Sequence, residues 1–343
     1  MRNSRVTLKD IAAKTGYTIN TVSRALKNKD DISLQTRQKI QEVAKEMGYI
    51  GDSIAGALRS GHSKTVAVIL GDISNPHFAI IVREIETGLR RHHYSTFIIN
   101  TDENPENEAE AIRLALSRMV DGIIICPTQQ SDENLTFLIN QNIPFVLIGR
   151  HFIGRDDCAT SVVCDDFMGG RLATEHLLGL GHRNILFLNG PLFISSASER
   201  LAGYKEALIS AGLAFDERMV REVPIVAGDC KHVIDEVVQD KIQFTAILAF
   251  SDLIAYEAMY ALQLHGFQNP RDYAIVGFDN IQSKFLFPFP LTSIGSSKTT
   301  MARRAVNLLL EALNSNKPIV HQEIVLKARL IVRASSSYRV DSI

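Results

Sequence analysis

The sequence has little that would mark a secreted, membrane-bound or metal-dependent protein. Its four cysteines, Cys126, Cys158, Cys164 and Cys230, show no CxxC spacing and have no histidine cluster beside them. That excludes the usual zinc ligand sets and a disulfide framework, and Cys126 and Cys164 read as small buried hydrophobes. No apolar run approaches the ~18–20 residues of a membrane span, and the opening ten residues lack the apolar core of an export signal. A reducing cytoplasm is the expected compartment. GxSxG, HExxH, GxxxxGK[ST] and a strand-led GxGxxG are all missing, so no catalytic residue, no metal and no cofactor is expected. The C-terminal residues 334–343 carry no heptad pattern, which speaks against a coiled coil joining dimers.

What is present is an ordinary globular composition, 45% hydrophobic and 22% charged over 343 residues, enough for about two domains at roughly 150 residues each. The net charge of −1 hides an asymmetry. Residues 1–62 hold eleven lysines and arginines against six acids, a net of +5, which leaves −6 on the remainder. A small basic head on a large acidic body points to a polyanionic partner for the head alone.

The head reads as three short helices. Thr7-Leu8-Lys9-Asp10 fits a capping box, with Leu8, Ile11 and Ala12 on one face. Gly16-Tyr17-Thr18 breaks that helix. Thr18 then caps a second through Ile19, Val22, Ala25 and Leu26, and Ser33 caps a third with Ile40, Val43, Ala44 and Met47 inward. Two short helices joined by a glycine-bearing turn and backed by a third make a helix-turn-helix. In such a module the second helix enters the major groove by its N-terminal end. Its outward positions are Ile19, Asn20, Ser23, Arg24 and Lys27. Arg24 can bridge guanine O6 and N7, Asn20 can pair with an adenine edge, and Ile19 can touch a thymine methyl. Thr7, Thr18, Thr21 and Ser33 stand near helix starts, where hydroxyls and backbone N–H groups suit phosphate. The competing reading is a protein-docking module with a solvated polar face.

Val6-Thr7-Leu8-Lys9-Asp10-Ile11-Ala12, Gly16, Thr21-Val22-Ser23-Arg24-Ala25-Leu26 and Tyr49-Ile50 resemble the head of the lactose/purine repressor family of bacterial transcriptional regulators. The resemblance implies binding of double-stranded operator DNA by a homodimer. Residues 50–63 form a Gly/Ser-marked connector, where Ile54 and Leu58 stand at i, i+4 of a two-turn helix too short to hold alone. By the resemblance, two such hinges fold side by side on the operator and press Leu58, with Ala55 one turn earlier, into the minor groove, at the cost of unstacking a base step. Gly51 and Asp52 depart from the family's Tyr-x-Pro-Asn at this place. Losing the proline loosens the chain, and the acid repels phosphate.

From Thr65 onward buried-strand and helix patterns alternate, the signature of parallel sheets covered on both faces. Strand-like runs at 66–70, 96–100, 122–126 and 144–148 make a first series, and 161–164, 185–189, 246–250 and 274–278 a second. Helical stretches fall near 78–92, 106–119, 132–140, 168–180, 199–212, 230–239, 252–264 and 299–314, with further strands near 292–296 and 322–333. The expected fold is therefore a small all-α helix-turn-helix domain at 1–49, a hinge at 50–63 and a two-lobed α/β body at 64–343. The body resembles periplasmic binding proteins, with one lobe near 64–162 and 294–324 and the other near 163–293 and 325–343. The helix near 78–92 is the candidate dimer contact.

Ligands of open parallel sheets collect beyond the carboxyl ends of the strands. Reading those ends yields Asp72, Arg150, Ser251, Asp252 and Asp279, with Arg200 opening one helix and Phe78 heading another. Three acids and two arginines suit a neutral, hydroxyl-rich ligand such as a sugar. Several also have a plainer reading: Ser251 and Asp252 as helix caps, Asp279 as a turn residue, the arginines as partners of acids across the lobes. The resemblance extends through Asn75-Pro76-His77-Phe78, Asp166, Gly169-Gly170-Arg171-Leu172-Ala173, Gly181-His182, Arg200-Leu201-Ala202-Gly203-Tyr204, Ser251-Asp252 and Gly277-Phe278-Asp279, and implies effector contacts from Arg200, Ser251 and Asp279. Cys230 stands where members often carry a stacking aromatic, and Ser251 where they often carry Asn. The expected function is a repressor controlled by a sugar effector. The alternatives are a purine-like corepressor, a transport solute-binding protein and a sugar-modifying enzyme.

Overall fold

The computed structural model describes residues 6–50, 61–154, 159–225, 228, 230–283, 289–315 and 321–337. The chain divides into two compact units, Met1–Ser63 and Lys64–Ile343. The hinge positions Ala55 and Leu58, and Cys158, lie outside the described residues.

The first unit is three helices, α1 (Leu8–Thr15), α2 (Ile19–Leu26) and α3 (Leu34–Glu46). Local side chains start each of them. Thr7 and Asp10 form the reciprocal capping box of α1, the Thr7 N–H donating to Asp10 Oδ2 at 2.8 Å. Thr18 Oγ1 accepts from the Thr21 N–H at 3.1 Å to cap α2, and Ser33 Oγ accepts from the Thr36 N–H at 3.3 Å to cap α3. Gly16, at φ 77°, closes α1 in the left-handed conformation that glycine adopts without strain. Ile11, Ala12, Val22, Ala25, Ile40 and Ala44 are buried at the centre. A core of six small and medium side chains gives a module of modest stability.

The second unit alternates strand and helix: β1 (Thr65–Leu70), α4 (Pro76–Arg91), β2 (Ser95–Asn100), α5 (Pro105–Ser117), β3 (Gly122–Ile125), α6 (Glu133–Asn140), β4 (Phe145–Ile148), β5 (Thr160–Cys164), α7 (Asp166–Gly179), β6 (Ile185–Asn189) and α8 (Ser195–Ser210). It continues with β7 (Val220–Glu222), α9 (Cys230–Gln239), β8 (Ala246–Ala249), α10 (Asp252–Leu264), β9 (Ala274–Phe278), β10 (Thr292–Gly295), α11 (Lys298–Asn314), β11 (Glu323–Leu326) and β12 (Arg329–Ile331). Two six-stranded sheets result, ordered β11-β5-β4-β3-β1-β2 and β12-β10-β9-β8-β6-β7. Every pairing is parallel except β10 with β12. The central strands β3, β4, β6, β8 and β9 are buried along their whole length, as strands covered on both faces must be.

Three details differ from the sequence reading. The strand at 161–164 belongs to the first sheet, between β4 and β11, and not to the second series. A wholly buried strand shows no polar face, so nothing local tells which sheet it joins. β7, three incompletely buried residues at a sheet edge, gave no apolar run to detect. α8 begins at Ser195, which moves Arg200 from the start of the helix into its second turn.

Helices α7 and α8 cross with almost no gap. A Cβ at Gly203 would lie 2.0 Å from the Phe167 carbonyl oxygen, and one at Gly170 would lie 2.2 Å from that of Arg200. Only glycine permits this approach, and it brings Asp166 of α7 against Arg200 of α8. Among the described residues no helix is long and apolar enough to cross a membrane.

Candidate functional site

In the head, α2 keeps Val22 and Ala25 inside and turns a mixed face outward. Ile19 is 49% exposed, Asn20, Arg24 and Lys27 are exposed, and Thr21 and Ser23 are half-buried. The hydroxyls of Thr7, Thr18 and Ser33 are engaged as helix caps at the starts of the three helices. Sequence reasoning missed one partner: the Nε–H of Arg24 donates to Asp31 Oδ2 at 2.7 Å. That hydrogen bond holds the Asp31 carboxyl below its ordinary range and raises the guanidinium.

In the body, a cleft of about 770 Å³, counting the part open to solvent, lies where the carboxyl ends of both sheets meet. Phe78, Arg150, Arg200, Ser251 and Asp279 line it, together with Asn75, His77, Glu103, Asp166, Lys298 and others. Asp72 and Asp252 do not. Asp72 accepts from the N–H and Oγ of Ser74, both at 2.8 Å, shaping the turn that leads into α4 and so to His77 and Phe78. Asp252 is buried beneath the wall, accepting from the Ile281 N–H at 2.8 Å and from Ser293 Oγ at 2.5 Å. Those two bonds hold the loop that carries Asp279, and burial pushes the Asp252 carboxyl up to about 8. The strand-end rule found these acids but could not distinguish a carboxylate facing the crevice from one whose oxygens are taken by other groups of the chain.

Each arginine of the wall has an acid. Arg150 reaches Glu103 with two bonds, Nη1 to Oε2 at 2.7 Å and Nη2 to Oε1 at 2.9 Å. Glu103 gets there over Gly71, where a Cβ would lie 2.1 Å from Oε1. Its backbone sits at φ 55°, next to Asp102 at φ 52°, the kind of local strain that persists only where the surroundings impose it. Arg200 donates through Nε to Asp166 Oδ1 at 2.8 Å and through Nη1 to the Phe250 carbonyl, with its guanidinium 3.5 Å from the centre of the Phe278 ring. Burial pushes Asp166 up to about 6, and Arg200 restrains the rise. The sequence reading offers pairing of the arginines with acids across the lobes; instead both partners lie within the arginine's own lobe. Glu103 was legible by the same strand-end rule, since it follows β2, and Lys298 follows β10 in the same way.

Several contacts tie the lobes across the cleft. His77 Nδ1 of α4 faces Asp279 Oδ1 at 3.3 Å without a hydrogen bond between them, and burial pushes that imidazole down to about 4, so it is neutral near pH 7 and forms no ion pair there. Lys298 donates to the Asp279 carbonyl. His151 joins Glu199 of α8 and Glu323 of β11, each at 2.6 Å. The Ser195 N–H donates to Gln129 Oε1 at 3.1 Å. By residue type, the three acids Glu103, Asp166 and Asp279 match the three cations Arg150, Arg200 and Lys298 along the wall. Such a wall offers carboxylate acceptors and fixed guanidinium donors without a net charge, which suits a neutral polyhydroxyl molecule. Cys126 and Cys164 line it as thiols pushed up to about 12 by burial. Cys230, the first residue of α9, is buried in the core and does not line the cleft.

Comparison with known proteins follows the same division. A family model described as "Periplasmic binding proteins and sugar binding domain of LacI family" matches residues 63–328, and one described as "Bacterial regulatory proteins, lacI family" matches residues 7–52. The chain is 31% identical over 338 residues to the HTH-type transcriptional regulator DegA of Bacillus subtilis (strain 168), covering 97% of this chain and 98% of that protein. It is similar to the lac repressor dimer bound to operator and the anti-inducer ONPF, with a TM-score of 0.83 at 26% identity, over 97% of this chain and 99% of that one. It is also similar to the transcriptional regulator CelR in complex with cellobiose, with a TM-score of 0.73 at 27% identity, over 97% and 100% of the two chains.

Proposed function

The chain belongs to the lacI family of bacterial regulatory proteins and is a DNA-binding transcriptional repressor under effector control; on that premise we propose a homodimeric, cytoplasmic, non-enzymatic repressor whose effector is a sugar. Residues 1–49 bind DNA, 50–63 are the hinge, and 64–343 bind effector and dimerise. Ile19, Asn20, Ser23, Arg24 and Lys27 read or approach base edges, Thr7, Thr18, Thr21 and Ser33 meet phosphate, and Ala55 and Leu58 enter the minor groove. Phe78, Arg150, Arg200, Ser251 and Asp279 hold the effector, and Asp72 and Asp252 support them from behind.

The observation that carries the sugar reading is the charge-balanced wall, in which three acids and three cations face one crevice. A phosphorylated or carboxylated ligand needs a surplus of cations. The cellobiose held by a structural relative agrees with this. Dimerisation is supported by the relative solved as a dimer on operator and by the edge strand β2, where Ile98 is 39% exposed beside α4.

Control is a matter of linkage. The effector bears on both lobes, so it changes their relative positions and with them the separation of the two hinges in the dimer. A coupling of ~1–3 kcal/mol alters operator affinity roughly 5–150-fold. A thermal-shift screen against sugars and nucleobases tests the ligand class. A sugar at ~100-fold over its Kd adds ~2.7 kcal/mol of stability and is recovered unchanged. Stabilisation by a purine alone overturns the sugar reading, and turnover of the sugar overturns the non-enzymatic one.

A further inference from the structure

The Arg24–Asp31 pair has a geometry that matters for base reading. Arg24 has five N–H donors on a flat fork, and Asp31 takes the Nε–H at 2.7 Å. With Nε–H taken, the edge formed by the two terminal nitrogens is the one left to bridge guanine O6 and N7.

The acceptor is also held in place. Asn28 turns the chain at φ 54°, and the Lys29 N–H returns to the Arg24 carbonyl at 3.1 Å. From α3, Arg37 Nη2 donates to the carbonyls of Lys29 at 2.8 Å and Ile32 at 3.2 Å, and Gln41 Nε2 donates to Asn28 Oδ1 at 2.8 Å. The loop bearing Asp31 is thus fastened at both shoulders to the supporting helix. An acid beside a DNA-facing surface repels phosphate, so its presence there carries an electrostatic cost.

We infer that Asp31 is a positioning residue for sequence reading: it fixes the Arg24 guanidinium so that its terminal edge meets a guanine. The inference rests on Arg24 being a base contact. In water an exposed pair of this kind holds only weakly, but the same hydrogen bond strengthens as the interface excludes solvent. Asp31 therefore acts in two opposite directions, raising discrimination at one base pair and lowering affinity for DNA in general.

The test uses the full chain and a duplex selected by the unmodified protein from a randomised pool, with every base pair then varied in turn. Arg24→Ala identifies the base pair that Arg24 reads. Asp31→Ala is expected to reduce guanine preference at that base pair by ~5-fold or more, within the range of a bidentate contact, while binding random duplex more tightly at the same salt. That gain also shows that the variant head is folded. Asp31→Asn retains an acceptor for Nε without the charge, so it is expected to gain on random duplex and keep most of the preference. If Asp31→Ala shifts affinity for all duplexes alike, or if Asp31→Asn loses preference as fully as Asp31→Ala, the positioning role is overturned while Arg24 remains a base reader. If Arg24→Ala leaves every preference intact, the reading of Arg24 falls and the role of Asp31 with it.

Discussion

Two arginine–aspartate pairs of nearly equal length sit in very different surroundings. Arg24 and Asp31, 2.7 Å apart, have side chains 45% and 50% exposed; Arg200 and Asp166, 2.8 Å apart, have side chains 9% and 3% exposed. Distance alone would rank them together. Exposure separates them: water and salt screen the first pair, whereas the second was taken out of water and must keep its partners. The exposed pair therefore contributes little to the fold of the head, and its arginine is accessible to DNA. The cleft holds its arginine rigid, ready to donate to a ligand in fixed geometry.

The largest effect comes from breaking the buried pair. Arg200→Met leaves Asp166 buried and unpaired, and a loss of about 3–5 kcal/mol is expected in denaturant unfolding of the body. Adding Asp166→Asn should return part of it; equal losses for the single and double variants would mean that the pair is not the source. A second variant perturbs the same pair through the backbone. Gly203→Ala places a methyl against the Phe167 carbonyl, and a loss of about 1–3 kcal/mol is expected from the forced separation of α7 and α8. Unchanged stability would show that the crossing can relax.

A smaller effect depends on pH. Donation to the Glu199 carboxylate, aided by Glu323, raises His151 to about 9 against burial. A group raised in the folded state contributes its full stability below its unfolded value of about 6.5, and that contribution fades as pH rises through about 9. The unmodified protein should lose melting temperature across this window relative to His151→Gln; parallel profiles would contradict an inter-lobe imidazolium. The smallest effect on stability belongs to the exposed pair. Arg24→Ala should leave the melting temperature unchanged while relaxing one base preference roughly 5- to 150-fold. A destabilised head, or a uniform loss on all duplexes, would erase the contrast between the two pairs.

The same contrast explains what could be read from the sequence. The head is built from local signals, with Thr7, Thr18 and Ser33 each within three residues of the N–H it caps, so its helices were legible almost residue by residue. In the body, helices α9 and α10 were equally plain. The sheet membership of β5 was not, because Thr160–Cys164 is buried on both faces and its neighbours come from distant parts of the chain. The cleft was half legible for the same reason. Strand ends located Arg150, Ser251 and Asp279, and a helix start stood in for Arg200, but the choice of Glu103 for Arg150 spans 47 residues and that of Asp166 for Arg200 spans 34. Asp72 and Asp252 show the converse error, strand-end acids whose lone pairs are already taken, by Ser74 two residues on in one case and by Ile281 and Ser293 far along the chain in the other.

The central claim, that cleft and head share one equilibrium, is tested most directly by titrating the effector into the protein with and without its operator duplex. Reciprocity requires the two effector affinities to differ by the same factor by which effector changes operator affinity, here roughly 5- to 150-fold. Identical effector affinities in the two titrations would contradict the account.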